Sequence, residues 1–206
     1  MQVRVLKELK RAEKCEINVI PFGVIGEIDF KKQLSGGAEE LVKLGRFSAL
    51  AGDITLLGCV SDNYGIKKRS VFAFERGKLT AICDMNSAEE GFSPSAGYKI
   101  FNSGSRKIGV LVDKDLYSPM AVSSLAAVGC SAIIDLYEGF SARKAEIAAE
   151  FYAYAFGVNF VLISENAFFA FDSYGDKILT ENQKALLPDL KICREVRLKK
   201  RGANIY

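Results

Sequence analysis

Two periodicities alternate along this chain, and together they constrain the fold more than any other feature. Short runs rich in β-branched and aromatic residues are separated by longer stretches whose apolar residues recur at helical spacing. That alternation argues for an α/β architecture, because each strand face and each helix stripe must be buried against another element. Strands are expected at residues 17–25, 53–61, 70–74, 79–84, 98–101, 107–112, 132–136 and 159–164. Helices are expected over about 4–14 and 37–51, where Ala38, Leu41, Val42 and Gly45 share a face. Ser118-Pro119 reads as an N-cap followed by a first helical residue, with Gly129 as the stop. Ser141 reads as the cap of a helix that ends at Phe156-Gly157.

Turn chemistry refines the topology. Glu75-Arg76-Gly77-Lys78 and Asn102-Ser103-Gly104-Ser105 each separate two strand-like runs. Asp172-Ser173-Tyr174-Gly175-Asp176 joins a third pair, 167–171 with 177–180. Three hairpins are too many antiparallel pairs for an all-parallel doubly wound sheet, so a sheet-rich sandwich is expected. No Pro-, Gly- or Ser-rich linker and no repeat divides the 206 residues, so one domain spanning 1–206 is expected.

Composition then narrows the chemistry. The sequence contains no histidine, which removes the commonest general base and the commonest transition-metal ligand. Ser-His-Asp, Cys-His and HExxH chemistries are therefore excluded. A net charge of +3, spread over 28 basic and 25 acidic residues, is too balanced to imply nucleic acid or an anionic membrane as partner. The five cysteines form no CxxC pair and most lie in apolar runs such as Leu57-Gly58-Cys59-Val60, as reduced core residues of a cytoplasmic protein do. No apolar run reaches the roughly 20 residues a membrane span needs, and residues 1–14 lack the apolar centre of a secretory signal. The tail from Lys191 to Arg201 alternates apolar and basic residues, as a half-exposed edge strand would.

At Ile108-Gly109-Val110-Leu111-Val112-Asp113-Lys114-Asp115, followed by Ser118-Pro119, the sequence resembles the strand and elbow of the nitrilase (carbon-nitrogen hydrolase) superfamily. Asp113 stands where that family carries its nucleophilic cysteine. The resemblance continues in chain order on both sides. Ile17-Asn18-Val19-Ile20-Pro21-Phe22 is similar to the family's apolar strand ending in Pro-Glu, with Phe22 at the glutamate. The segment from Arg76 to Met85 is similar to the hairpin that delivers the lysine, with Met85 in its place. Leu125 to Ile134 resembles the Gly-Ala-Asp helix-to-strand turn, and Phe169 to Ile178 a late hairpin with an Asp-x-x-Gly turn. The resemblance covers roughly residues 15–200. It implies a four-layer αββα sandwich whose first strand is short or missing here, assembled as a homodimer through helical faces.

In nitrilase-like enzymes the cysteine attacks a carbon-nitrogen substrate, the glutamate moves the proton and the lysine stabilises the oxyanion. Phe22 cannot accept a proton, Met85 offers no charge or donor, and a carboxylate at 113 would need an activated water to release an acyl group. The resemblance therefore implies a catalytically degenerate domain with a ligand-binding or protein-interaction role and no cofactor. Its remnant pocket would be lined by Asp113, Lys114, Asp115 and Glu138 and could hold a small molecule. The alternative is a diverged amide hydrolase with a rearranged site around Asp113. If the strand persists through Asp115, both carboxylates share a face and could meet a hard cation; the competing reading, preferred here with no metal, is hydrogen bonding by Asp115 at the elbow. Glu89-Glu90 could place an acid near the pocket mouth, with Lys99 or Lys114 as a relocated cation; the competing reading, preferred here, is a solvated loop.

Overall fold

The structure, a computed structural model, describes residues 1–9, 14–37, 39–138, 141–180 and 183–189. In chain order the strands are β1 Gln2–Val5, β2 Cys15–Ile20, β3 Glu27–Asp29, β4 Gly52–Asn63, β5 Ile66–Glu75, β6 Lys78–Asp84, β7 Lys99–Ser103, β8 Arg106–Val112, β9 Ala132–Leu136, β10 Asn159–Ile163, β11 Phe168–Phe171 and β12 Lys184–Leu186. The helices are α1 Phe30–Leu34, α2 Glu39–Ala51, α3 Pro119–Ala127 and α4 Ala142–Phe156, with a 3-10 turn at Asp113–Tyr117. One sheet runs β12-β1-β2-β4-β5-β6 with β3 on β4, and the other runs β11-β10-β9-β8-β7. Both sheets are mixed. In the first, β1, β2 and β4 are parallel neighbours while β4, β5 and β6 meander antiparallel. In the second, β8, β9 and β10 are parallel and each edge is a hairpin partner.

Strand parity builds the layers. Val19, Leu56, Val71 and Ala73 on the first sheet pack with Val110, Ile134 and Val161 on the second, forming one inter-sheet core. Their alternate neighbours Ile20, Leu57, Phe72 and Phe74 face α1 and α2. Leu111, Ile133, Phe160 and Leu162 face α3 and α4. The result is αββα. Two glycines are explained by close approach. A Cβ on Gly109 would stand 2.8 Å from the Leu125 side chain, so α3 can lie flat on β8 only without one. Arg76 and Gly77 form a two-residue turn with φ of 49° and 85°, the geometry that matches strand twist.

Local signals at the helix ends are realised. Ser118 accepts from the Ala121 N–H ahead of Pro119, and Gly157 closes α4 at φ 64°. Several expectations need correction. Residues 2–5 are a strand, not the start of a helix: Val3 and Val5 are buried and Gln2 and Arg4 half-buried, a period-2 pattern that the surrounding charges obscure. The first strand is thus present and short. The strand expected at 17–25 stops at Ile20, before Pro21. On α2, Val42 is exposed and the buried stripe is Leu44, Gly45, Ser48 and Ala51. The third hairpin contracts to a single Phe171–Lys177 bridge. Phe151 and Tyr154, apolar residues three apart on α4, are exposed. Residues 191–201 lie outside the described residues.

Candidate functional site

The carboxyl ends of the parallel strands gather at one end of the sandwich. Gly23, just past β2, approaches the Glu165 carboxylate beyond β10, while Asn86 and Ser87, just past β6, bind Asp115 beyond β8. Open α/β sheets place ligands beyond such strand ends.

At this end the chain turns sharply at Asp113. Val112 is extended at φ −128°, and Asp113 then adopts φ 53°, a left-handed conformation that costs a non-glycine residue about 1 kcal/mol or more. Strand β8 therefore ends before Asp113, and the 3-10 turn sends Asp113 and Asp115 to different partners. The shared face needed for a cation does not form. Asp115 accepts from the backbone N–H groups of Asn86 and Ser87 and from both their side chains, at 2.8 to 3.2 Å. It ties the β6 loop to the elbow.

Asp113, 1% exposed, accepts from the Glu138 N–H at 3.0 Å and pairs with Arg69 Nε at 2.9 Å. Arg69 is the residue the sequence reading missed. On β5 it shares the inward parity of Val71 and Ala73, so its guanidinium enters the space between the sheets. There its Nε also donates to Glu89 at 2.7 Å, its Nη1 donates to Glu138, and its Cζ lies 4.6 Å from the centre of the Phe92 ring. Glu89 is engaged, not solvated, and its second oxygen takes Lys114 Nζ at 2.9 Å; Glu90 is exposed. Lys99 lies on the β7 edge.

Burial pushes the Asp113 carboxyl up to about 6, against the opposing pull of the Glu138 N–H and Arg69. Burial also acts upward on Glu89, but the hydrogen bonds from Lys114 and Arg69 outweigh it and hold that carboxyl below its usual value. Behind the elbow, Asp135 is fully buried on the α-facing side of β9, and both its oxygens lack a hydrogen-bond partner among the described residues. Burial, aided by Asp113 and Asp115, raises its pKa well above the usual carboxylate value.

Phe22 and Met85 are 3% and 1% exposed and belong to the inter-sheet core together with Val112. Gly58 makes room for Phe22: a Cβ there would fall 2.8 Å from the Phe22 nitrogen and 3.1 Å from its ring. The Met85 N–H donates to the Arg69 carbonyl at 2.9 Å, so Met85, Arg69 and Asp113 form one connected unit. Among the described residues no group of three or more Cys, Asp or Glu side chains is arranged to hold a metal ion.

Searches of known structures find the same layers elsewhere. A carbon-nitrogen hydrolase from Helicobacter pylori G27 superposes with a TM-score of 0.72 at 14% identity, over 92% of this chain and 83% of that one. The chain has the carbon-nitrogen hydrolase fold. A mutant amidase of the nitrilase superfamily from Nesterenkonia AN1 gives 0.74 at 12% identity, over 98% and 96% of the two chains. Nit3 of Saccharomyces cerevisiae, from branch 10 of the nitrilase superfamily, gives 0.68 at 15%, over 89% and 80%. No protein-family model and no curated protein matches the sequence. No described helix is long and apolar enough to cross a membrane.

Proposed function

We propose that this chain is a catalytically degenerate carbon-nitrogen hydrolase-like domain, a single cytoplasmic unit that works by binding instead of by bond cleavage. The observation that carries the reading is the Arg69–Asp113 pair at the elbow. Where the fold's chemistry calls for a nucleophile, a base and a cation free to meet an oxyanion, the elbow holds a buried carboxylate. Its cation is committed to three carboxylates, and Phe22 and Met85 add apolar bulk beside it. Phe22 and Met85 supply neither the base nor the oxyanion donor that an acyl intermediate at Asp113 would need.

The binding role falls to a protein partner or a small molecule at the pocket mouth, and the first partner is a second copy of the chain. Ile147, Phe151 and Tyr154 recur at helical spacing on the outer face of α4 and are exposed, with Met120 of α3 exposed in the same layer. A homodimer through this face is the expected assembly. A second reading, a diverged amide hydrolase, draws support from the Asp113 carboxyl at about 6, the range in which a general acid or base operates.

The deciding experiment offers the purified chain a panel of aliphatic and aromatic amides and follows ammonia release. No turnover above that of Asp113→Asn is expected; turnover that this substitution abolishes would establish the hydrolase instead. Sedimentation of Phe151→Glu against wild type tests the assembly, and an unchanged dimer would move the interface elsewhere.

A further inference from the structure

We infer that the space over the elbow is a guanidinium receptor occupied by the chain's own Arg69, an internal ligand in the place where an external one would sit. The inference rests on the reading that this elbow is the remnant site.

The walls of the receptor come from three separate elements and are held largely without Arg69. Glu89 and Phe92 lie on the loop after β6, which backbone hydrogen bonds from Ser93 to Lys67 and from Ser95 to Met85 anchor at 2.8 and 2.9 Å. Glu89 is also gripped by Lys114. Asp113 is fixed by the Glu138 N–H and by the elbow itself. These three carboxylates converge on a single planar cation whose face lies on an aromatic ring. A guanidinium satisfies that arrangement because Nε–H, between Glu89 and Asp113, and Nη1–H, toward Glu138, lie in one plane while its face stacks; an ammonium has no face to stack.

Charge points the same way. Glu89, Asp113 and Glu138 contribute three negative charges when ionised, against Arg69 and Lys114. Without Arg69 the cluster would be left with two uncompensated negative charges, around an Asp113 that is itself buried. Filled, it holds the Arg69 head group against the three carboxylates that an external cation would otherwise meet.

The test removes the internal ligand and supplies its head group. Arg69→Ala in the full chain is titrated with methylguanidinium chloride at low millimolar concentration, followed by thermal unfolding and by amide NMR shifts at Glu89, Asp113 and Glu138. Saturable binding is expected in Arg69→Ala and about tenfold or more weaker binding in wild type, where the receptor is full. Ethylammonium is expected to bind more weakly than methylguanidinium, and the double substitution Arg69→Ala/Asp113→Asn is expected to lose most of the response. Equal binding by wild type and variant, absence of binding by the variant, or no preference over ethylammonium each overturns the proposal. Should Arg69→Ala not fold, Arg69→Met and the wild-type Arg69 Nε–H decide it: a slowly exchanging proton is expected, and one exchanging at the rate of a solvated arginine refutes the occupancy. Amide hydrolysis by wild type would overturn the degenerate-enzyme reading on its own assay and leave this one standing.

Discussion

Replacing Asp135 by leucine should stabilise the protein, against the usual effect of a core substitution. Asp135 is fully buried between Ile134 and Leu136, its two oxygens have no hydrogen-bond partner among the described residues, and its face packs against α3 and α4. Leucine carries two methyl groups where aspartate carries two oxygens, so the shape is nearly conserved while an unsatisfied polar group is removed. Such a group costs about 1–3 kcal/mol, which for a chain of this length corresponds to a rise in Tm of roughly 2–12 °C. The effect must depend on pH. Because folding raises this carboxyl's pKa, its contribution to stability is complete below the unfolded value of 3.8 and is lost as pH rises through the folded value. Urea unfolding at pH 5 and pH 8 therefore should show Asp135→Leu ahead of wild type at both, with the gap widening at the higher pH. Asp135→Asn, which cannot ionise, should remove the part of the pH dependence that comes from residue 135 and keep the unsatisfied polar group. A leucine variant less stable than wild type by more than about 1 kcal/mol at both pH values would refute the reasoning, since only a hidden partner of the carboxyl could produce that loss.

Arg69→Met should cost about 3–5 kcal/mol, the usual price of leaving a buried charge without its partner, and adding Asp113→Asn should recover part of it in a double-mutant cycle. Side-chain carbonyl NMR should show Asp113 titrating near 6, and near a higher value in Arg69→Met because the attraction that opposes burial is gone. Since this carboxyl is raised from 3.8 to about 6, its contribution to stability should fall by about 3 kcal/mol as pH climbs from below 3.8 to above 6; Asp113→Asn should flatten that part of the profile. Gly58→Ala should destabilise by roughly 1–3 kcal/mol, because the new methyl meets both the backbone and the ring of Phe22, and calorimetry on the single variant measures it.

The sequence was most legible where one residue type answers one local requirement. Gly77 at positive φ, Ser118 with Pro119, and Gly157 each mark a turn or cap that only a few residues can make. Long apolar strands such as β4 and β8 were readable for the same reason: burial on both faces demands apolar residues throughout. What escaped was short or decided at a distance. Strands β1, β3 and β12 have only three or four residues each and exist because neighbouring strands pair with them. Phe151 and Tyr154 carry an apolar pattern that fits burial, yet α4 already presents Ala145, Ala149, Tyr152 and Ala153 to the sheet.

The site was legible in outline at the elbow and not in its occupant. Arg69 stands in a run of three basic residues that reads as a solvated strand end, although counting back by twos from Ala73 and Val71 already turns it inward. An inward arginine needs acids to meet it, and two of the three it meets, Glu89 and Glu138, lie in loops whose placement depends on the completed sandwich.

The pairing of β1 also sets an order of events during synthesis. Gln2, Val3 and Arg4 lie in register with Leu186, Ala185 and Lys184, and the Leu187 N–H donates to the Met1 carbonyl at 2.8 Å. Strand β1 precedes the other described strands along the chain, yet its outer edge is covered only by β12, which follows them all. Until the final ladder closes, a row of unpaired backbone groups stays open to other nascent chains. Long-range closure of this kind is slow, because its loop entropy is met before any contact rewards it. A chain cut short before residue 184 would keep that edge open permanently, and intermolecular strand addition there would be its characteristic mode of misassembly.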